Sequence, residues 1–281
     1  MGLRIQNNIE AFNTHRQLTA TSAQASKSME KLSSGYRINR AADDAAGLAI
    51  SEKMRGQIGG LAQAQRNAQD GISLVQTAEG ALNEVHSMLQ RVRDLKVQFA
   101  NDTLSTEDQG AIGAEVAEIA KEITSISTTT EFNGKSLFGS TGFTFQVGAN
   151  DGETITTGSA QLTGSLGAGG LSELVNLGSA GAASAALSTG GFAALSNIDT
   201  AIANVSTIRG NLGAVQNRLE HRLANLATYQ ENLTASESRI RDVDMASEMT
   251  KFTKLNILQQ AGTSMLAQAN QGPQGVLSLL R

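Results

Sequence analysis

The chain has 281 residues, of which 17% are charged and 4% aromatic, with no Trp, no Cys and a formal net charge of −4. Without cysteine there is no disulfide framework and no thiolate metal site, and the weak charge argues against a nucleic-acid binder, which carries a basic patch or stripe. So little aromatic mass implies a core of Ala, Leu, Ile, Val and Met at helix–helix seams, and a single proline, Pro273, leaves long stretches free to be unbroken helix.

The first ten residues contain no apolar run of the length a cleavable secretory signal needs, so any export is expected to use a non-cleaving route. A helix is expected from about Ile5 to Leu32, with apolar positions Ile5, Ile9, Phe12, Leu18, Ala25, Met29 and Leu32. A second is expected from about Ala45 to Ala100. Its stripe is Met54, Ile58, Leu61, Ala68, Ile72, Val75, Ala78, Leu82, Val85, Leu89 and Val92, with one phase slip near Ala78. A third begins near Ser105, where Ser105 and Asp108 have capping-box spacing, and carries Ile112, Val116, Ile119, Ile123 and Ile126.

The middle of the chain changes period. Phe143, Phe145 and Val147 alternate with Thr144 and Gln146, Asp151-Gly152 makes a turn, and Glu153 to Thr156 alternates again. This pattern predicts a β-hairpin near 143–157. Residues 158–192 follow, with nine Gly, seven Ala and Glu173 as the only charge, a composition that buries little and suits a short surface segment.

Beyond it, Ile198, Ile202, Val205, Leu212, Leu219, Leu226, Tyr229, Leu233, Ile240 and Val243 keep heptad phase, with Arg209, Arg222 and Ser236 filling the intervening seam positions. Unbroken from 193 to 240, this helix would be roughly 70 Å long, and so narrow a seam needs a partner helix. A last helix, about Ala246 to Ala269, carries Met249, Phe252, Leu258, Ala261 and Met265 and is expected to stop before Gly272-Pro273. The chain is thus mainly α: a long coiled-coil-like helix bundle from both chain ends, a small β-hairpin and a short Gly/Ala-rich surface segment. Helices as short as the outermost pair are marginal alone in water. Their seams, at Ile5, Ile9, Phe12, Met249, Phe252, Leu258 and Met265, are expected to be covered by each other and by neighbouring copies.

Catalytic constellations are weak. His15, His86 and His221 lack Cys partners and His-Glu-x-x-His spacing, so seam or surface roles outweigh a metal site. Asp43 and Asp44 are adjacent and do not face one another on a helix, so a helix-start charge or a contact between copies outweighs a catalytic pair. Residues Gly164 to Gly170 are glycine-rich but have neither P-loop nor Rossmann spacing. No enzyme activity and no cofactor are expected.

Several segments resemble bacterial flagellins, in the family's order: Ser33-Ser34-Gly35-Tyr36-Arg37-Ile38-Asn39 with Ala41 to Ile50, Asn67 to Ser73 with Gln76 to Leu82, Gln90 to Leu95, Phe132-Asn133-Gly134, Gln146 to Asn150, Ser238 to Ala246, and Gln268 to Gln271 with Leu277, Leu279 and Leu280 near the terminus. The resemblance covers about residues 1–157 and 193–281. It departs at the short 158–192 segment, where larger family members carry outer domains, and at Arg281. It implies residues 1–44 with 241–281 as an inner helical coiled-coil domain, 45–157 with 193–240 as a helical rod domain, and 158–192 as a variable surface segment. It also implies secretion unfolded through the flagellar export channel and assembly outside the bacterium into a helical homopolymer that serves motility. The implied partners are other copies of the chain, an export chaperone, the filament cap and hook-junction proteins, with no nucleic acid and no membrane.

Host recognition carries over by residue. Arg91, Leu95 and Glu115 match positions that the vertebrate Toll-like flagellin receptor contacts, with Lys96 replacing a small apolar residue beside them. Ser33, Gly35, Arg37, Ile38, Asn39, Asp43, Asp44, Gly47 and Leu48 match the epitope of the plant receptor kinase for flagellin, with Tyr36, Arg40 and Ala42 departing from its common pattern. Within the filament the resemblance gives Arg91 and Arg93 to contacts between copies. A hook–filament junction protein shares the two-ended helical design, and a soluble coiled-coil binding module displaying 158–192 is the alternative from another class.

Overall fold

The computed structural model describes residues 8–139, 142–158, 187 and 194–279, with side chains described as far as residue 271. In chain order the elements are α1 (Ile9–Ser34), α2 (Ala45–Phe99), α3 (Thr106–Thr129), β1 (Glu131–Phe132), β2 (Lys135–Ser136), β3 (Thr144–Gln146), β4 (Thr154–Thr156), α4 (Leu195–Arg241) and α5 (Met245–Leu279). Ile5 and almost all of 158–192 lie outside the described residues.

The helix starts follow from short polar side chains that accept orphan backbone N–H groups. Asn8 caps α1 through the Ala11 N–H, and Asp44 caps α2 through the Gly47 N–H at 2.8 Å. Ser105 and Asp108 form the expected capping box at the start of α3, and Asp244 accepts from Ala246 and Ser247 at the start of α5. Gly35 ends α1 at φ +76°, a left-handed conformation that favours glycine.

One boundary differs from expectation. Helix α5 does not stop before Gly272-Pro273 but runs through both to Leu279. A proline inside a helix removes one donor, the one that would reach the carbonyl four residues earlier. Here that carbonyl belongs to Ala269, and the Asn8 side-chain amide donates to it at 2.7 Å. The proline therefore leaves no unsatisfied acceptor behind it.

Two compact units divide the chain, one formed by Met1–Ile58 with Glu231–Arg281, the other by Gly59–Gln230. The core of the second unit is the heptad seam made three-dimensional. Leu82, Val85, Leu89 and Val92 of α2 pack with Val116, Ala120 and Ile123 of α3 and with Ile198, Val205, Leu212 and Leu219 of α4. Tyr229, assigned to the same seam, is instead 47% exposed, because the buried line of α4 in this unit ends at Leu226.

The predicted hairpin is β3–β4, paired antiparallel with Phe145 opposite Ile155, and Val147 and Ile155 reach the core. Asn67 on α2 and Arg222 on α4 each donate to its backbone, at the carbonyls of Gln146 and Val147, both at 3.0 Å. Gly71 lets α2 approach it, since a Cβ there would lie 3.2 Å from the Phe145 ring and from Leu219. A second hairpin, β1–β2, turns through Asn133 (φ +52°) and Gly134 (φ +74°). Replacing Leu89, which has no exposed surface, with Ala should lower the unfolding free energy of the unassembled chain by about 2–5 kcal/mol. Urea titration measures this, and a loss near zero would remove Leu89 from the core.

Candidate functional site

In the first unit, α1 packs against α5. The side of α1 that meets its partner is built from small or polar residues: Thr21, Ala25 and Ser28 are buried. On α5, Leu255 is buried, and Gly262 comes so close that a Cβ there would sit 3.2 Å from Leu18. Ser28 donates its hydroxyl to Glu248, which also pairs with Lys251 at 3.5 Å.

The large apolar residues point elsewhere. Phe12 is 70% exposed, Met265 59%, Ile9 56%, and Met29, Met245, Met249, Ile257 and Leu258 are all near half or more, while Phe252 is half-buried. Monomeric proteins rarely leave so many large hydrophobics uncovered on one small unit. The sequence pattern singled these residues out as seam positions but did not give their direction. Periodicity marks apolar positions; only the packing of α1 on α5 shows which of them are left outside the intramolecular seam.

Between α1 and α2 the chain crosses the α4–α5 connector. Arg37 donates its backbone N–H to Arg241 at 2.6 Å, Val243 donates to Gly35 at 3.0 Å, and Tyr36 bridges Asp242. The Arg241 side chain is 11% exposed, with its guanidinium 4.9 Å from the centre of the Tyr36 ring and paired with Glu52. That hydrogen bond from Arg241 holds the Glu52 carboxyl below its ordinary value. Asp43 accepts from the backbone of Arg40 at 3.1 Å and of Asn39 at 3.3 Å, which lowers its pKa likewise.

The residues matched to the plant epitope therefore all sit in this crossing or beside it. Ile38 is buried, Asp44 is the α2 cap, Gly47 sits against Asp44, Leu48 is half-buried, Ser33 is exposed, and Asn39 donates to Ser34. Asp43 and Asp44 serve the turn and the cap rather than forming a catalytic pair.

In the second unit, Arg91 pairs with Glu115 at 2.6 Å and Arg93 with Asp199 at 2.7 Å, so each arginine has a carboxylate within its own chain. The Asp199 hydrogen bond raises the Arg93 pKa. Leu95 is 2% exposed and belongs to the core. Lys96, which sequence reasoning gave no structural role, is largely buried. It donates to the Leu187 carbonyl at 2.7 Å and lies 5.4 Å from the Phe99 ring centre, and burial pushes its pKa down. Its one sequence signal was a cation following Leu95 on the apolar side of α2.

Among the described residues there is no group of His, Asp and Glu placed to hold a metal, and no helix long and apolar enough to cross a membrane. What the structure offers is surface: paired terminal helices with outward apolar faces. Residues 5–144 match the family profile described as the bacterial flagellin N-terminal helical region, and residues 195–280 match the bacterial flagellin C-terminal helical region. The chain belongs to the bacterial flagellins. A flagellin of Halalkalibacterium halodurans is 53% identical over 99% of both chains, and one of Bacillus subtilis is 50% identical over 99% of this chain and all of the other.

A putative flagellar hook-associated protein from Vibrio parahaemolyticus shares the fold, with a TM-score of 0.54 over 71% of this chain and all of that one, at 16% identity. Full-length identity to flagellins decides between the filament and junction readings. The protein is a short-form flagellin, a structural subunit of the extracellular flagellar filament and not an enzyme.

Asp43 and Glu52 both have lowered pKa values, so what they contribute is present above the ordinary carboxylate range of about 4 and is lost as pH falls through their lowered values. Backbone amides of Asn39 and Arg40 should stay protected, after correction for intrinsic exchange, until that range and lose protection below it. At neutral pH, Arg241→Ala should speed exchange at Arg37 and Val243 severalfold; unchanged protection would show that the backbone bonds hold the crossing alone.

Proposed function

We propose that the outward apolar residues of α1 and α5 are the seams along which copies of the chain pack in the filament. The observation that carries this is the exposure of Phe12, Ile9, Met249, Leu258 and Met265 on a unit where the buried positions of α1 are Thr21, Ala25 and Ser28. Fully burying one such side chain stabilises by about 1.5–3 kcal/mol, and half of that remains to be gained at residues already half covered. Several such residues per subunit, repeated along a helical array, supply a driving force without any single strong contact. Half-buried Phe252 belongs to the same set. Residues 1–44 with 241–281 then form the inner layer of the filament, and 45–157 with 193–240 the layer outside it, with 158–192 at the surface.

Family membership supports further partners for these residues: an export chaperone that shields them before secretion, and cap and hook-junction proteins that meet them at the filament ends. Recognition by innate-immune flagellin receptors rests on Arg91 and Glu115, whose side chains are about half exposed, with Leu95 shaping that surface from beneath. The plant epitope rests on Ser33 to Leu48.

Phe12→Asp and Met249→Asp should each raise the critical concentration for seeded filament growth by tenfold or more, since each places a charge in an apolar seam. The thermal unfolding of the unassembled chain should barely change. Deleting residues 1–30 should abolish growth altogether while the Gly59–Gln230 unit stays folded by circular dichroism. Filaments from either aspartate variant at the unmodified chain's concentration would sink the seam assignment.

A further inference from the structure

Pro273 is the only proline in the chain, and it lies inside α5. It therefore creates the one interior helix carbonyl that lacks its own partner for covalent reasons, that of Ala269. Asn8, the cap of α1, donates its Nδ2 to that carbonyl at 2.7 Å, while its Oδ1 accepts the Ala11 N–H at 3.0 Å. Each half of the amide is used, and the chemistry fixes which way round it lies: a backbone N–H needs the oxygen and a carbonyl needs the NH₂.

We infer that Asn8 and Pro273 act together as the register-setting pair of the terminal helices, Asn8 being a positioning residue for filament assembly. The inference rests on the seam assignment above. Slide α1 along α5 by a turn and Asn8 faces a carbonyl that already has its helical partner, while the partly buried Ala269 carbonyl is left unpaired, which is the costly state. At the other end of the pair, Ser28 donates to Glu248. The spans Asn8–Ser28 and Glu248–Ala269 are each roughly 30 Å of helix, so two polar contacts pin a seam whose small side chains would otherwise tolerate slippage.

Register matters because the exposed apolar residues are drawn from both helices. Phe12 and Met29 come from α1, and Met249, Leu258 and Met265 from α5. One residue of slip displaces one set against the other by about 1.5 Å and 100°, and a neighbouring copy then meets a different surface.

The test uses the full chain in four versions: unmodified, Asn8→Ser, Pro273→Ala and both together. Serine caps a helix as well as asparagine does but has no amide to give. Alanine at position 273 restores the N–H that the Ala269 carbonyl lacks. With Pro273 in place, Asn8→Ser should raise the critical concentration for seeded growth roughly fivefold. In the Pro273→Ala background the same change should do almost nothing, and any fall in the melting of the unassembled chain should likewise appear only with Pro273 in place. Asn8→Asp keeps the cap but sets a carboxylate against the Ala269 carbonyl, so with Pro273 present it should assemble worse than Asn8→Ser. An equal effect of Asn8→Ser in both backgrounds, no effect in either, or an aspartate no worse than serine overturns the register assignment. Phe12→Asp tests the seam itself, so a failure there is distinguishable from a failure of the register pair.

Discussion

The pairing of α1 with α5 ties the two ends of the chain together through small side chains, and the exposure of the large ones follows from that. Thr21, Ala25 and Ser28 let the helix axes approach, with Gly262 beside Leu18 on the other side. A seam of this kind gains close van der Waals contact but removes little apolar area from water. Phe12, Met29, Met249 and Met265 are left in solvent. A subunit built this way leaves its large apolar side chains uncovered among the described residues.

The second unit is arranged the opposite way. There Leu82, Leu89, Leu212 and Leu219 face inward and are fully or nearly fully buried, and charged residues outside the core are matched within the chain, as in Arg91–Glu115 and Arg93–Asp199. Exposed pairs of this sort contribute little to stability. Their effect is to neutralise charge on the surface locally. One chain thus carries a unit whose apolar core is satisfied internally and a unit that leaves large apolar side chains exposed.

The crossing at residues 35–44 and 242–244 joins α1 to α2 and α4 to α5 with backbone hydrogen bonds and the Arg241 stack on Tyr36. The residues matched to the plant epitope are engaged there in caps, turns and burial. Asp44 caps α2, Asp43 gathers two backbone donors, and Ile38 is buried. Physical demand on the turn is reason enough for those residue types at those positions, whatever else recognises them.

The sequence alone determined the helices, the β3–β4 hairpin, the Ser105 capping box and the family, because these depend on local signals: period, short polar caps, turn residues and motif order. It also marked Phe12, Met249 and Met265 as seam residues. It missed β1–β2, whose strands are two residues each, too short for a period, although Asn133-Gly134 is a turn signal. It misread the end of α5, where the carbonyl that Pro273 orphans takes its donor from Asn8 at the opposite end of the chain. It gave no warning that Lys96 would be buried against Leu187, or that Leu95 would lie in the core beside exposed Arg91. These are matters of which face meets which neighbour, and a one-dimensional period defines a face without saying what stands opposite it. Only the tertiary structure decided that.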